Sequence, residues 1–253
     1  MEVQIPTSRG YIASVLNIVD AGSPVVVLCH GFRATMDMIP LTIIESFLNS
    51  HGYSTLKFDF GNGIGKSYGE IHHINIYNQL EDLHDVVSYL KKDYSKIGII
   101  GHSLGGFSAA HYLSEYNNLD ALVLLSAPFD YVHRGIKLFG EENYMKILDG
   151  KLKISDLYHL IRKNTVFDVG TQFYEDILKY SPNDFKKIKT PTLIVNGEED
   201  KVVVTSQGQK YDGRLNSEHS FLTIPGADHN FTDASSAKVM CENIKRFLDR
   251  YMK

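Results

Sequence analysis

Apolar positions along the chain fall into two patterns. Val25–Cys29, Ile97–Ile100 and Ala121–Leu125 are short apolar runs without polar alternation. Such runs suit strands buried on both faces of a parallel sheet. Thr55–Phe58, Pro191–Asn196 and Ser220–Ile224 read as further strands, and Val3–Ile5 with Tyr11–Leu16 as an opening antiparallel hairpin around Ser8-Arg9-Gly10. Between these runs the apolar period becomes helical. Ile43, Ile44, Phe47 and Leu48 form one such stripe, with Pro40 suited to the first turn and Gly52 to the stop. Leu80, Leu83, Val86, Val87 and Leu90 form another, with Glu81, Asp82 and Asp85 on its wet side. Phe107–Tyr116 is helix-like, and Ala237, Met240, Ile244, Phe247, Leu248 and Tyr251 mark a closing helix. Strands alternating with helices predict an α/β fold with a mostly parallel, doubly wound, eight-stranded sheet.

The alternation lapses from about Tyr131 to Lys187. Apolar strands stop, and aromatics gather: Tyr131, Phe139, Tyr144, Tyr158, Phe167, Phe173, Tyr174, Tyr180 and Phe185. Ile147–Leu152 fits a hairpin around Asp149-Gly150, while Asp156–Ile161 and Thr171–Leu178 fit short helices. So long an insertion between strands is expected to be functional or a small subdomain. Residues 1–130 and 188–253 are thus expected to form the core, and 131–187 an inserted cap whose aromatics partly line a site and partly pack it down.

Composition narrows the classes. The 253 residues are 43% hydrophobic and 22% charged, with a formal net charge of −4. This is an ordinary globular balance without the basic footprint of a nucleic-acid binder. No run approaches the ~20 apolar residues of a membrane span, and the first twenty residues hold no signal-peptide core. A cytoplasmic enzyme is the default expectation. Cys29 and Cys241 are the only cysteines, each in an apolar pattern, which favours buried thiols over a disulfide.

Candidate chemistry collects just past the ends of the expected strands, where open α/β sheets carry their sites. Gly101-His102-Ser103-Leu104-Gly105, followed by Gly106, joins strand to helix in the pattern that exposes a serine on a sharp turn. A serine hydroxyl needs a base to take its proton, and a histidine base needs a carboxylate to hold its tautomer. Asp200, in Gly197-Glu198-Glu199-Asp200, and His229, in Gly226-Ala227-Asp228-His229, follow in the order Ser, acid, His. Glu198, Glu199 and, above all, Asp130 are rivals for the acid. Asp228 is expected to turn its side chain away from the ring, His30 to brace its loop, and His102 to be packed. Gly63-Ile64-Gly65-Lys66-Ser67 imitates a phosphate loop, but the first glycine of that pattern would fall on Phe60. No histidine pair has metal-ligand spacing, and neither a metal nor another cofactor is expected.

These segments together resemble the α/β-hydrolases over nearly the whole chain. His30-Gly31-Phe32 is similar to the family's H-G loop, which implies half of an oxyanion hole at the N–H of Phe32, with the other half at Leu104. Asp59 to Ser67 resembles an altered D-x-x-G-x-G-x-S segment, and Asp200-Lys201-Val202-Val203 and Gly226 to His229 resemble the segments that carry acid and base. The compact core and inserted cap look most like cinnamoyl (feruloyl) esterases and monoacylglycerol-lipase-like hydrolases.

The resemblance implies a serine hydrolase with Ser103, Asp200 and His229 as triad. Substrate choice does not carry over from it; the aromatic-rich cap points to a small-molecule ester with an apolar or aromatic group, so a carboxylesterase is the first expectation. A monoacylglycerol, or a peptide with a free amino end, is the next substrate class. A ligand-binding protein on a hydrolase fold, and acyl transfer in place of hydrolysis, stay open. The cap or an edge strand could support a homodimer, though no stretch demands one.

Overall fold

The structure, a computed structural model, describes residues 1–157 and 169–253. Tyr158, Phe167 and the later part of the helix expected over 156–161 lie outside the described residues. β1 (Glu2–Thr7) and β2 (Gly10–Asn17) pair antiparallel, and β2 pairs antiparallel with β4 (Ser54–Phe58). Every other neighbouring pair is parallel, through β3 (Val25–Cys29), β5 (Ile97–His102), β6 (Ala121–Leu125), β7 (Thr192–Gly197) and β8 (His219–Ile224). The eight strands lie in the order β1-β2-β4-β3-β5-β6-β7-β8.

The strand period of two sorts the apolar residues onto two faces. Val25, Val27, Cys29, Ile97, Ile99, Leu122 and Leu124 pack under α2 (Ile76–Leu90) and α3 (Leu104–Tyr116). Val26, Leu28, Ile100, Val123, Leu125 and Val195 pack under α1 (Ile39–Asn49) and the closing helix. All five residues of β3 and all five of β6 are buried, so alternation has no polar face to mark. Cys29 and Cys241 are buried free thiols in opposite face clusters.

Between β6 and β7 come α4 (Val132–Phe139), α5 (Glu141–Leu148), α6 (Thr171–Ile177) and two 3-10 turns, Ile154–Leu157 and Pro182–Lys187. Phe139, Tyr144 and Ile154 make a small apolar cluster of their own, while Phe173, Ile177 and Phe185 join the main core. The hairpin expected over 147–152 is not formed. Ile147 and Leu148 end α5, supported by the Glu142–Lys146 pair at i,i+4. Gly150, at φ +69°, closes the helix, and Lys151 N–H returns to Lys146 O at 2.8 Å. A left-handed glycine serves a helix stop as well as a hairpin turn, and here the preceding helical turn decides between them.

Two further helices, α7 (Thr205–Asp212) after β7 and α8 (Ala234–Met252) after β8, complete the layers. No described helix is long and apolar enough to cross a membrane.

Candidate active site

The site grows from the register of the central strands. β3 and β5 pair with Cys29 opposite Gly101, so the loop after β3 and the turn after β5 leave the sheet side by side. At that turn Ser103 takes φ +52° and ψ −122°. A side chain in this region costs about 1–3 kcal/mol and persists only where its surroundings hold it. Ser103 N–H donates to Leu125 O at 2.9 Å, and Ser103 O accepts from Gly106 N at 3.0 Å and Phe107 N at 3.2 Å. The flanking glycines let the backbone close. A Cβ on Gly101 would lie 2.5 Å from Gly105 O, and one on Gly105 would lie 2.4 Å from His30 O. Leu104 opens α3 with its side chain buried in the core. Its N–H has no intrahelical partner because it lies in the first turn.

The loop that carries Phe32 is tied from beneath. Buried His30 accepts Phe60 N–H on Nε2 at 3.0 Å, and Asp59 Oδ1 accepts Met36 N–H at 2.8 Å. Asp59 Oδ2 accepts Lys66 N–H at 2.8 Å. The segment that imitates a phosphate loop thus braces the neighbouring strand end. No helix opens directly after Ser67: a 3-10 turn follows at Ile71–His73, and the next α-helix starts at Ile76.

Asp200 and His229 come together from the ends of β7 and β8. His229 Nδ1 donates to Asp200 Oδ2 at 2.7 Å, and Asp200 Oδ1 accepts the N–H of Val202 and of Val203, each at 2.8 Å. Burial pushes the Asp200 carboxyl upward. The His229 bond and charge and the two amides outweigh it and hold the group below its usual range. With Nδ1 engaged, Nε2 is the ring's proton acceptor. His102, next to the serine, packs its ring 4.8 Å from that of His229 and donates from Nε2 to His229 O at 2.9 Å. Burial first, and then the neighbouring His229 charge, push His102 down to about 3, so it stays neutral.

Ser103 and Phe32 line one cavity of about 120 Å³, walled also by Pro128, Tyr131, Phe173, Val202 to Val204 and Gln207. Ser103 and His229 share no hydrogen bond. Such bonds are often long until substrate is present. The other candidates go elsewhere. Asp130 lines the cavity and pairs with Lys210 at 2.7 Å. Glu198 accepts from Gly226 N, and Asp228 caps its own turn through Asn230 N and Thr232 N. Two residues stand out only in the structure: Phe173, stacked on Phe32 at 5.1 Å and 13°, and Gln207. An aromatic-rich insertion pointed toward the first. No sequence signal marked the second.

Comparison with known proteins agrees with this architecture. Est1E from Butyrivibrio proteoclasticus, solved with ferulic acid bound, superposes with a TM-score of 0.82 at 21% identity over 98% of each chain. YitV of Bacillus subtilis (strain 168), an esterase by name, is 22% identical over 182 residues. That match takes in 65% of this chain and 64% of YitV, so the chain spans a little under two thirds of this relative. An acyl transferase of Photobacterium phosphoreum is 22% identical over 228 residues, 85% of this chain and 70% of that protein. The family model described as serine aminopeptidase, S33, matches residues 21–233. With the eight-stranded fold, that match makes the chain a member of this family of α/β-hydrolases.

Proposed function

We propose that the protein is a carboxylesterase that cleaves small apolar or aromatic esters through an acyl-enzyme on Ser103. One observation carries this reading: the 2.7 Å bond from His229 Nδ1 to buried Asp200, beside a serine held on a strained turn. Ser103 Oγ attacks the ester carbonyl carbon as His229 Nε2 takes its proton. The N–H groups of Phe32 and Leu104 receive the oxyanion, each contributing roughly 3 kcal/mol to lowering the barrier. The alcohol leaves with the proton from His229. Water then attacks the acyl carbon, gives a proton to the same nitrogen, and releases the acid and a free Ser103. Asp200 holds the imidazole and balances its transient charge.

Cavity size supports the substrate class. About 120 Å³ is close to the ~150 Å³ of an apolar cavity that accepts benzene. A ring-sized group fits that space beside Ser103. Residues 131–187, which supply Tyr131 and Phe173 to the walls, act as the cap. Est1E, by its bound ferulic acid, supports the same class. The match to an acyl transferase favours a second reading, in which an alcohol replaces water in the last step.

A fluorophosphonate probe tests the reading. The wild type is expected to label, and Ser103→Ala and His229→Ala are not. No labelling of folded wild type would withdraw the catalytic assignment. A panel of nitrophenyl esters, feruloyl esters, monoacylglycerols and aminoacyl amides then ranks substrates. Preference for the amides by kcat/KM would overturn the esterase reading, and product formed on added alcohols would show transfer.

A further inference from the structure

Gln207, on α7, is only 8% exposed and stands in the wall of the cavity that holds Ser103. Its Oε1 accepts two main-chain N–H groups, from Phe129 at 2.8 Å and from Asp130 at 3.1 Å. Only the amide oxygen can accept both, which fixes the orientation of the side chain. Nε2 therefore lies at the other end, and among the described residues it donates to nothing while remaining accessible. A side chain so anchored loses little entropy when its free N–H groups meet a ligand.

The remaining polar groups of the wall decide which ligand. Asp130 has both oxygens engaged, Oδ2 with Lys210 at 2.7 Å and Oδ1 with Val132 N–H at 3.2 Å. Lys201 adds positive charge at the exposed margin. A free amide donor and a cation, with the one carboxylate among the described lining residues already paired, suit an oxygen acceptor and not an ammonium group. Among the described lining residues an aminoacyl group would meet no free anion.

We propose that Gln207 Nε2 is the specificity donor of this cavity, and that the acyl group it selects carries an ether or carbonyl oxygen beyond its apolar part. The proposal rests on the esterase reading of the same site. The probes are isosteric ester pairs that differ in one atom of the substituent: methyl 4-methoxycinnamate against methyl 4-ethylcinnamate, and the 3-substituted pair. Wild type is expected to favour the methoxy member of one pair by about 10-fold in kcat/KM, the scale of one well-placed neutral hydrogen bond. Gln207→Glu keeps an oxygen for Phe129 and Asp130 but removes the donor, so that ratio should fall to one or below. Equal kcat/KM for both members in wild type, or an unaltered ratio in Gln207→Glu, would overturn the proposal. If the variant does not fold, the wild-type ratio alone still decides. Calorimetric binding of the same pairs to Ser103→Ala separates the two readings. Tighter methoxy binding without turnover by wild type would keep Gln207 and remove the esterase. Turnover without preference would do the reverse.

Discussion

The strand ends and the described residues of the 131–187 segment hold their site residues by different means. At the strand ends, backbone atoms fix the geometry: Ser103 through Leu125, Gly106 and Phe107, Asp200 through Val202 and Val203, His229 through its own carbonyl to His102. In the segment, side chains meet side chains. Phe173 stacks on Phe32, Phe139 and Tyr174 meet edge to face at 5.9 Å, and Phe139, Tyr144 and Ile154 cluster apart from the main core. Backbone-fixed groups have one position, set by chain geometry. Stacked groups have a surface, which repacks when one member changes. The first arrangement suits chemistry that must not vary, and the second suits a wall that differs with substrate.

Asp200→Asn breaks the first side of this comparison most severely. The shape is kept, but the amide no longer fixes the His229 tautomer, and kcat/KM toward esters is expected to fall by roughly 10⁴-fold. Steady-state kinetics on a nitrophenyl ester reads this. A fall below tenfold would mean that another carboxylate serves His229. The same variant removes a stabilising ionisation. The Asp200 carboxyl is held below its ordinary value, so its contribution is complete above about pH 4 and is lost as pH falls through the folded value.

Glycine substitutions set the two regions against each other directly. A Cβ on Gly105 would sit 2.4 Å from His30 O and 2.6 Å from Cys29 O, both main-chain atoms in the sheet edge. Gly105→Ala is expected to cost about 3 kcal/mol or to prevent folding. A Cβ on Gly150 meets nothing within 4 Å, and only its φ of +69° opposes a side chain. Gly150→Ala should cost about 1 kcal/mol. Urea denaturation compares them, and equal losses would mean that the strand-end turn is softer than its contacts imply.

The same contrast explains what the sequence made legible. β3 and β6 begin and end where their apolar runs do, because a strand buried on both faces leaves an uninterrupted run. The placement of Ser103, Asp200 and His229 at strand ends was legible for a related reason: glycines at fixed offsets mark backbone that must turn sharply or approach closely. Gln207 was not legible. Its anchor, Phe129 N–H, lies 78 residues earlier, and no local pattern records a contact made across the fold. Phe173 is one aromatic among many in its segment until Phe32 is seen beneath it. Asp149-Gly150 was legible as a turn but not as to which kind, since αL glycine is common to both.

Phe173→Leu sharpens the second side. It removes a ring stacked on Phe32 and keeps a large apolar side chain, at a stability cost of about 1–1.5 kcal/mol. KM for an aromatic ester should rise several-fold while kcat holds. A collapse of kcat at unchanged KM would move Phe173 from the wall to the chemistry.

His111 tests the seam between the regions. It lies on α3 among Phe107, Tyr180 and Phe185, with ring centroids 4.5, 5.1 and 4.6 Å away, and among the described residues its buried Nε2 has no partner. Burial pushes it down to about 3, against a small upward pull from Asp184. The unfolded chain takes up this proton near pH 6.5, and the folded protein does not until far lower pH. Stability therefore falls as pH drops between those values, by up to ~1.4 kcal/mol per pH unit for each such group. His102 contributes with the same sign. Going from pH 6.5 to 5.5, wild type should lose about 1 kcal/mol more than His111→Leu, read from urea midpoints. An equal loss would mean that folded His111 accepts its proton already, which requires water to reach the seam between α3 and the Pro182–Lys187 turn.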